Sequence, residues 1–343
     1  MIDFNNAYKY KLILTKQCNM NCVYCFHGKK YELNKNNEVS PEEMASYLPA
    51  NKQYTVTFFG GEPLLNYDYL KKFAEKIREK NPLAKFNVVT NGLLLNEERV
   101  KTLNELDIRT TISHDTYSHS QTRGPDPLKK NGEIISKLKH LGFISTITSK
   151  NWNLFKIWDF FEDYRLYYKI KRPTVVYAGV RDMLHNIDES LFVYNHKEFE
   201  ELFDKVCINL INDLKNRILD SYEVKAHMRF LKKVYYSSIY NMGMAPCYTK
   251  DSVITFDTNG NLYNCHNANL LYGNVRDISS ANPDFLKIKE KCNFCNVREW
   301  CIKCPKVVES QEKYYCYFQK TILTKLMTAF EKLDLEDINN NDN

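Results

Sequence analysis

KLILTKQCNMNCVYC, residues 11–25, is the stretch on which the fold turns. Lys11 to Thr15 is an apolar run of strand length. Three cysteines follow at once, Cys18, Cys22 and Cys25, spaced C-x3-C-x2-C, with the aromatic Tyr24 just before the last. A strand therefore runs straight into a thiol-bearing loop. Three thiolates fill neither a tetrahedral zinc site nor every corner of a [4Fe–4S] cluster. Two readings are open at this point. One is zinc completed by a distant fourth ligand. The other is a cluster with one iron left open, able to take a ligand that carries both an amine and a carboxylate.

Downstream, the same strand-then-loop pattern recurs. Ser40-Pro41-Glu42-Glu43 predicts a helix start, with serine as N-cap, proline at the first helical position and glutamate in the first turn. Tyr54 to Phe59 reads as a strand ending in Gly60-Gly61-Glu62-Pro63, and 67–80 as a helix. Lys85 to Thr90 is a strand ending in Asn91-Gly92, followed by a helix over 96–105. Ile108 to Ser113, Phe143 to Thr148 and Ile170 to Tyr177 complete six strands, with helices over 128–141 and 153–164 between them. Such alternation predicts a parallel sheet with helices outside. The chemistry-bearing residues all fall just after strand ends, the face on which barrel enzymes place their sites. Residues 188–240 read as helical, 251–264 as a hairpin turning at Asn259-Gly260, and 317–333 as a helix before an acidic, Asn-rich tail.

Composition narrows the class. Of the 343 residues 43% are hydrophobic and 26% charged, enough for a real core. A net charge of +6 does not call for nucleic acid and suits a negatively charged cofactor or an acidic peptide. No run approaches the ~20 apolar residues of a membrane span, and the start of the chain lacks a signal-peptide core. A cytoplasmic protein with no membrane partner is expected. In a reducing compartment its eleven cysteines read as metal or cluster ligands rather than disulfides.

Seven of them lie late in the chain. Cys247 is followed by twelve residues, Gly260, four residues and Cys265. Cys292-x2-Cys295-x5-Cys301-x2-Cys304 comes next, then Cys316. Taken alone, the run from Cys292 to Cys304 reads as a zinc ribbon, and a zinc-stabilised binding protein is the alternative of another class. Cys207 sits in a helical apolar pattern with Phe203, Val206 and Leu210, which predicts a buried structural thiol. Trp152, Phe155, Trp158 and Phe161 recur at helical spacing, which predicts core packing.

The three-cysteine loop, Tyr24 and Gly-Gly-Glu-Pro one strand later together resemble the radical S-adenosylmethionine (SAM) superfamily. The later cysteines resemble its SPASM extension. The resemblance implies a partial (β/α)6 barrel of the TIM type, α/β in class, followed by a small cysteine-rich α+β domain. Expected boundaries are 1–185 for the barrel, 186–245 for a helical bridge, 246–320 for the SPASM domain and 321–343 for a last helix and tail. It implies that Cys18, Cys22 and Cys25 hold a SAM-binding [4Fe–4S] cluster, with Tyr24 beside the adenine. Gly60, Gly61 and Glu62 would then receive the methionine amino group, Ser113 and Arg123 the ribose and carboxylate, and Asn91 would belong to the same cofactor edge.

Two auxiliary clusters are implied. Cys292, Cys295, Cys301 and Cys316 would hold the outer one, and Cys247, Cys265 and Cys304 the inner one, which is left one protein thiolate short. Two residues rather than the family's three separate Cys301 from Cys304. The expected chemistry is a 5′-deoxyadenosyl radical that takes hydrogen from a peptide or protein, as in ribosomal-peptide maturases that form thioether or carbon–carbon crosslinks. Formylglycine generation, as in anaerobic sulfatase-maturating enzymes, is the alternative. Those enzymes place an acid directly after the second cysteine of the extension, where this chain has His266, the candidate catalytic base. An external one-electron reductant of flavodoxin or ferredoxin type is implied. With no leader-binding domain expected before the barrel, a separate peptide-delivery protein is a further candidate partner.

Overall fold

The computed structural model describes residues 4–25, 37–183, 186–240, 253–265, 268–281, 289–301 and 307–331. In chain order its elements are β1 (Lys9–Thr15), α1 (Pro41–Ser46), β2 (Thr55–Gly60), α2 (Tyr67–Lys80), β3 (Lys85–Thr90), α3 (Glu97–Glu105) and β4 (Ile108–Ser113). Next come α4 (His119–Thr122), α5 (Pro127–Ser136), β5 (Leu141–Ile147), α6 (Leu154–Tyr168) and β6 (Thr174–Gly179). Then follow α7 (Lys197–Lys215), α8 (Tyr222–Tyr240), β7 (Val253–Asp257), β8 (Asn261–Cys265), β9 (Ala268–Asn274) and α9 (Glu312–Glu331). The expected α/β alternation of six strands is present.

Two compact units divide the chain. The first comprises Met1–His114, His119–Gly142 and Pro246–Lys287. Within it β1 pairs in parallel with β2, β2 with β3, and β3 with β4. Tyr10, Leu12, Ile13 and Leu14 are all buried, as a strand covered on both faces requires. The amphipathic α2 turns Leu70, Phe73, Ala74 and Ile77 inward at helical spacing. Ser40 caps α1 by accepting the Glu43 N–H at 3.1 Å, and Asn96 caps α3 by accepting that of Arg99 at 2.9 Å.

On the far side of β1 lies β7, also parallel, in register from Lys9 opposite Val253 to Ile13 opposite Asp257. The hairpin expected around Asn259-Gly260 therefore extends the sheet at its first strand, and β8 and β9 follow in antiparallel fashion. Gly260 has φ +78°, and a Cβ there would lie 2.7 Å from Val275 Cγ2, so the turn requires glycine. The fully buried Asp257 accepts the Asn259 and Asn261 N–H groups and the Tyr263 hydroxyl, at 2.9, 3.0 and 2.6 Å.

The second unit comprises Asp115–Ser118, Phe143–Ala245 and Ile288–Asn343. Here α7 and α9 pack together, and α8 packs on β6. Cys207 is buried on the inner face of α7, and burial pushes its thiol up to about 12. Trp158 and Phe161 are core residues of α6, while Trp152 and Phe155 are half-buried.

His227 of α8 is buried. Its Nδ1 donates to the Glu223 carbonyl at 2.7 Å, so Nε2 accepts from the Tyr177 hydroxyl at 2.8 Å. Burial lowers its pKa to about 4 from 6.5. A base depressed in the folded state stabilises fully above the unfolded value and loses that contribution as pH falls toward the folded one. Between pH 7 and 4 the urea midpoint of the metal-free chain should drop by the equivalent of ~3 kcal/mol from this group. His227→Gln should flatten that slope. An unchanged slope in the variant would show that His227 does not titrate as described.

Candidate functional site

At its C-terminal end β1 delivers the three cysteines in the first unit. Strand β2 fastens the start of their loop: the Gly61 N–H donates to the Thr15 carbonyl at 2.9 Å and the Glu62 N–H to that of Gln17 at 2.7 Å. Both glycines are required by this approach. A Cβ on Gly61 would sit 2.6 Å from the Gln17 carbonyl carbon and 2.9 Å from the Lys16 oxygen, and one on Gly60 would strike Thr15. These are backbone atoms of the last residue of β1 and of the loop it feeds, and they cannot swing away.

The thiols of Cys18, Cys22 and Cys25 are partly exposed. Cys18 Sγ accepts the Met20 N–H at 3.4 Å, while the Cys25 N–H donates to the Cys22 carbonyl at 3.1 Å. Arg123, just past α4, brings Nη1 to 3.9 Å from Cys22 Sγ and lays its guanidinium 5.3 Å from the centre of the buried Tyr24 ring. The Val23 N–H is tied to the Thr122 carbonyl at 2.9 Å, so the arginine and the loop share a backbone link. A cation beside a sulfur ligand favours the thiolate form that binds iron. Among the described residues no three Cys, His, Asp or Glu side chains converge on a single metal ion. A cubane cluster places its thiolates on separate irons, so a loop of three partly exposed thiols with a nearby cation fits it better than a mononuclear site.

Glu62 is turned inward and only 1% exposed. Its carboxylate accepts from the Leu64 N–H at 3.1 Å, the Thr90 hydroxyl at 2.5 Å and the Asn91 N–H at 2.7 Å. Burial pushes its pKa up, and these donors oppose the shift. Asn91, at the end of β3, accepts the Leu93 N–H at 3.0 Å and donates from Nδ2 to Asn19 Oδ1 at 2.7 Å. Ser113, half-buried, ends β4. Beyond it His114 is fully buried, with Nε2 3.0 Å from Asp126 Oδ1 and its ring stacked on His119 at 4.1 Å. Burial alone would raise the Asp126 carboxyl. The His114 contact and the Leu128 and Lys129 N–H groups at the start of α5 outweigh it and hold Asp126 at about 2.

Of the later cysteines, Cys265 is half-buried at the end of β8 in the first unit. In the second unit Cys292, Cys295, Cys301 and Cys316 all line one pocket, together with Lys291 and Glu312. Glu312 is buried and pairs with both Lys289 and Lys291. Burial pushes the Cys316 thiol up, and Lys291 opposes that shift. Cys247, His266 and Cys304 lie outside the described residues.

The first site therefore gathers three thiols, an aromatic ring, a guanidinium and a glycine-fastened strand edge within one unit. Residues 12–151 match the Radical SAM superfamily. This part of the chain is a radical SAM domain. The radical SAM cyclopropyl synthase TigE of Paramaledivibacter caminithermalis is 22% identical over 333 residues, covering 86% of this chain. The chain spans 65% of TigE and about half of the next curated relatives it matches. A solved structure described as native anSMEcpe with bound AdoMet and Cp18Cys peptide shares the fold at a TM-score of 0.66 and 20% identity, covering 94% of this chain and 99% of that one. Streptococcus suis SuiB bound to its precursor peptide SuiA does so at a TM-score of 0.56 and 14% identity, over 86% of this chain and 71% of that one. Among the described residues no helix is long and apolar enough to cross a membrane.

The radical SAM domain holds side chains that the motifs do not point to. Asn19 ties the loop to Asn91 at the end of β3, and His114 and Asp126 pair beyond β4. An Asn inside a cysteine loop carries no periodic signal, and its partner lies 72 residues away. The Lys–Glu pairs in the second cysteine pocket are equally silent, because charged residues in a short loop read as solvated.

Proposed function

We propose that the chain uses its radical SAM domain to take a hydrogen atom from a peptide or protein, as a maturase of ribosomal peptides. The observation that carries the reading is the Cys18–Cys25 loop, fastened by backbone bonds to Gly61 and Glu62 with Arg123 over Tyr24. When bound there, a [4Fe–4S] cluster supplies one electron to the SAM sulfonium, giving methionine and a 5′-deoxyadenosyl radical. In this reading Cys18, Cys22 and Cys25 ligate the cluster. Tyr24 flanks the adenine, the backbone edge at Gly60, Gly61 and Glu62 meets the methionine amino group, and Asn91 shapes that edge from β3. Ser113 and Arg123 meet the ribose and carboxylate, the latter as a charge-assisted pair.

The four thiols of the second cysteine pocket suit an outer auxiliary cluster. Cys247, Cys265 and Cys304 are proposed for an inner one and His266 for the base. A peptide substrate is supported by the peptide bound to anSMEcpe and by SuiA bound to SuiB. The His266 position, where sulfatase-maturating relatives place an acid, favours crosslink formation over formylglycine. An acidic flavodoxin or ferredoxin is the proposed electron donor for this basic chain, and a separate protein the proposed carrier of the peptide.

The test is anaerobic incubation of the reconstituted enzyme with SAM, reductant and candidate precursor peptides deuterated at their side chains. Deuterium should appear in 5′-deoxyadenosine, and the peptide should lose two hydrogens. 5′-Deoxyadenosine formed without deuterium from any peptide would overturn the peptide reading while leaving SAM cleavage intact.

A further inference from the structure

The residues on either side of Cys18 are tied to one buried platform. Before it, the Gln17 carbonyl accepts the Glu62 N–H at 2.7 Å. After it, Asn19 Oδ1 accepts from Asn91 Nδ2 at 2.7 Å. The platform closes on itself, because the Glu62 carboxylate accepts the Asn91 N–H at 2.7 Å and the Thr90 hydroxyl at 2.5 Å. Thr90 Oγ1 in turn accepts the Gly92 N–H at 3.1 Å. Glu62, Thr90 and Asn91 are 1%, 2% and 6% exposed, so water does not compete for these bonds. Asn19 is exposed, and the Asn91 bond is what draws it to the platform.

We propose that Glu62 and Asn91 are positioning residues that bracket Cys18, with the Asn91–Asn19 bond acting as a latch on the cysteine loop. This rests on the reading of Cys18 as an iron ligand. The direction of the latch follows from chemistry. Asn91 Oδ1 is committed to the Leu93 N–H, so Nδ2 must face Asn19, and Asn19 must accept. The carboxylate of Glu62 has no remaining reach outward. The carboxylate acts through Asn91 and the Glu62 main-chain N–H through the Gln17 carbonyl, and the neighbouring main chain is left to meet the ligand.

The direction makes the variants unequal. Asn19→Asp keeps an acceptor for Asn91 Nδ2. Asn19→Leu, of similar size, keeps none. Asn19→Asp combined with Asn91→Asp sets two carboxylates against each other, whereas Asn91→Asp alone allows Asn19 to turn its amide and donate. Two readings are taken on the reconstituted enzyme: release of cluster iron to a chelator, and deuterium uptake by the backbone of residues 16–25.

Asn19→Leu and the double Asp variant should release iron about tenfold faster than wild type, the effect of one lost hydrogen bond, and exchange faster across the loop. Asn19→Asp and Asn91→Asp should each stay within about twofold of wild type in both readings. A merely structural asparagine would not show this rescue by the acceptor-only side chain. Asn19→Leu behaving as wild type, or Asn19→Asp failing as badly as Asn19→Leu, overturns the latch. Wild-type protein that takes up no iron at these cysteines overturns the cluster reading instead, and loop exchange in the same variants still decides the latch.

Discussion

Gly61→Ala should leave the chain folded and cost it the SAM-binding cluster. The methyl group would have to occupy space 2.6 Å from the Gln17 carbonyl carbon and 2.9 Å from the Lys16 oxygen. Neither atom belongs to a flexible side chain, so β1 and β2 must part at their ends. Two backbone bonds go with that movement, Gly61 N–H to Thr15 and Glu62 N–H to Gln17. Their loss and the strain together amount to ~2–4 kcal/mol, concentrated where the cysteine loop begins. Iron per chain should fall by one cluster's worth after reconstitution, and 5′-deoxyadenosine should fall by at least ~100-fold. Far-ultraviolet circular dichroism should stay close to wild type, because the strands away from this end keep their register. Full iron with normal SAM cleavage would mean that the glycine approach does not matter to the site.

A double change, Cys292→Ala with Cys316→Ala, is expected to separate the two halves of the chemistry. Cys316 sits on α9, and the other three thiols of its pocket come from the segment before that helix. Removing two of four thiolates should empty the pocket of iron and leave Lys291 and Lys289 paired with Glu312. The first unit, with Cys18, Cys22 and Cys25, is untouched, so SAM cleavage without peptide should persist within about threefold. Peptide product should drop by roughly 10–100-fold or more, the scale on which metal-site disruption acts. Equal loss of SAM cleavage and product would tie the second pocket to the first step. Unchanged iron would deny that these cysteines bind a cluster.

Much of the fold is legible in the sequence because it is local. The spans of β3, Lys85–Thr90, and α2, Tyr67–Lys80, follow from alternation and from the helical spacing of Leu70, Phe73 and Ile77. The spacing of the cysteine loop narrows it to zinc or an open cluster, and Gly60-Gly61-Glu62-Pro63 one strand later adds the resemblance that favours the cluster. Helix α5 ends at Ser136, short of the expected 141, because the chain must turn before β5 begins at Leu141, and the apolar Leu138 packs from that turn. Strand β9 has no such local signal. ANLLYGN has little alternation, leaves Leu271 61% exposed, and becomes a strand through its pairing with β8. In the same way, burial of Glu62 and its tie to Asn91 and Asn19 arise only when three strand ends are brought together. The parallel pairing of β7 with β1 joins residues some 240 positions apart in register, beyond any local signal.

The claim on which the rest depends is that Cys18, Cys22 and Cys25 hold a cluster that cleaves SAM reductively. It is tested by anaerobic reconstitution, iron analysis, and 5′-deoxyadenosine measured with SAM and dithionite, in wild type and in Cys22→Ala. A brown protein with roughly a dozen irons per chain that forms 5′-deoxyadenosine, and a variant that forms none, is the predicted result. A colourless zinc protein, or a fully iron-loaded one that yields no 5′-deoxyadenosine under any reductant, would contradict it.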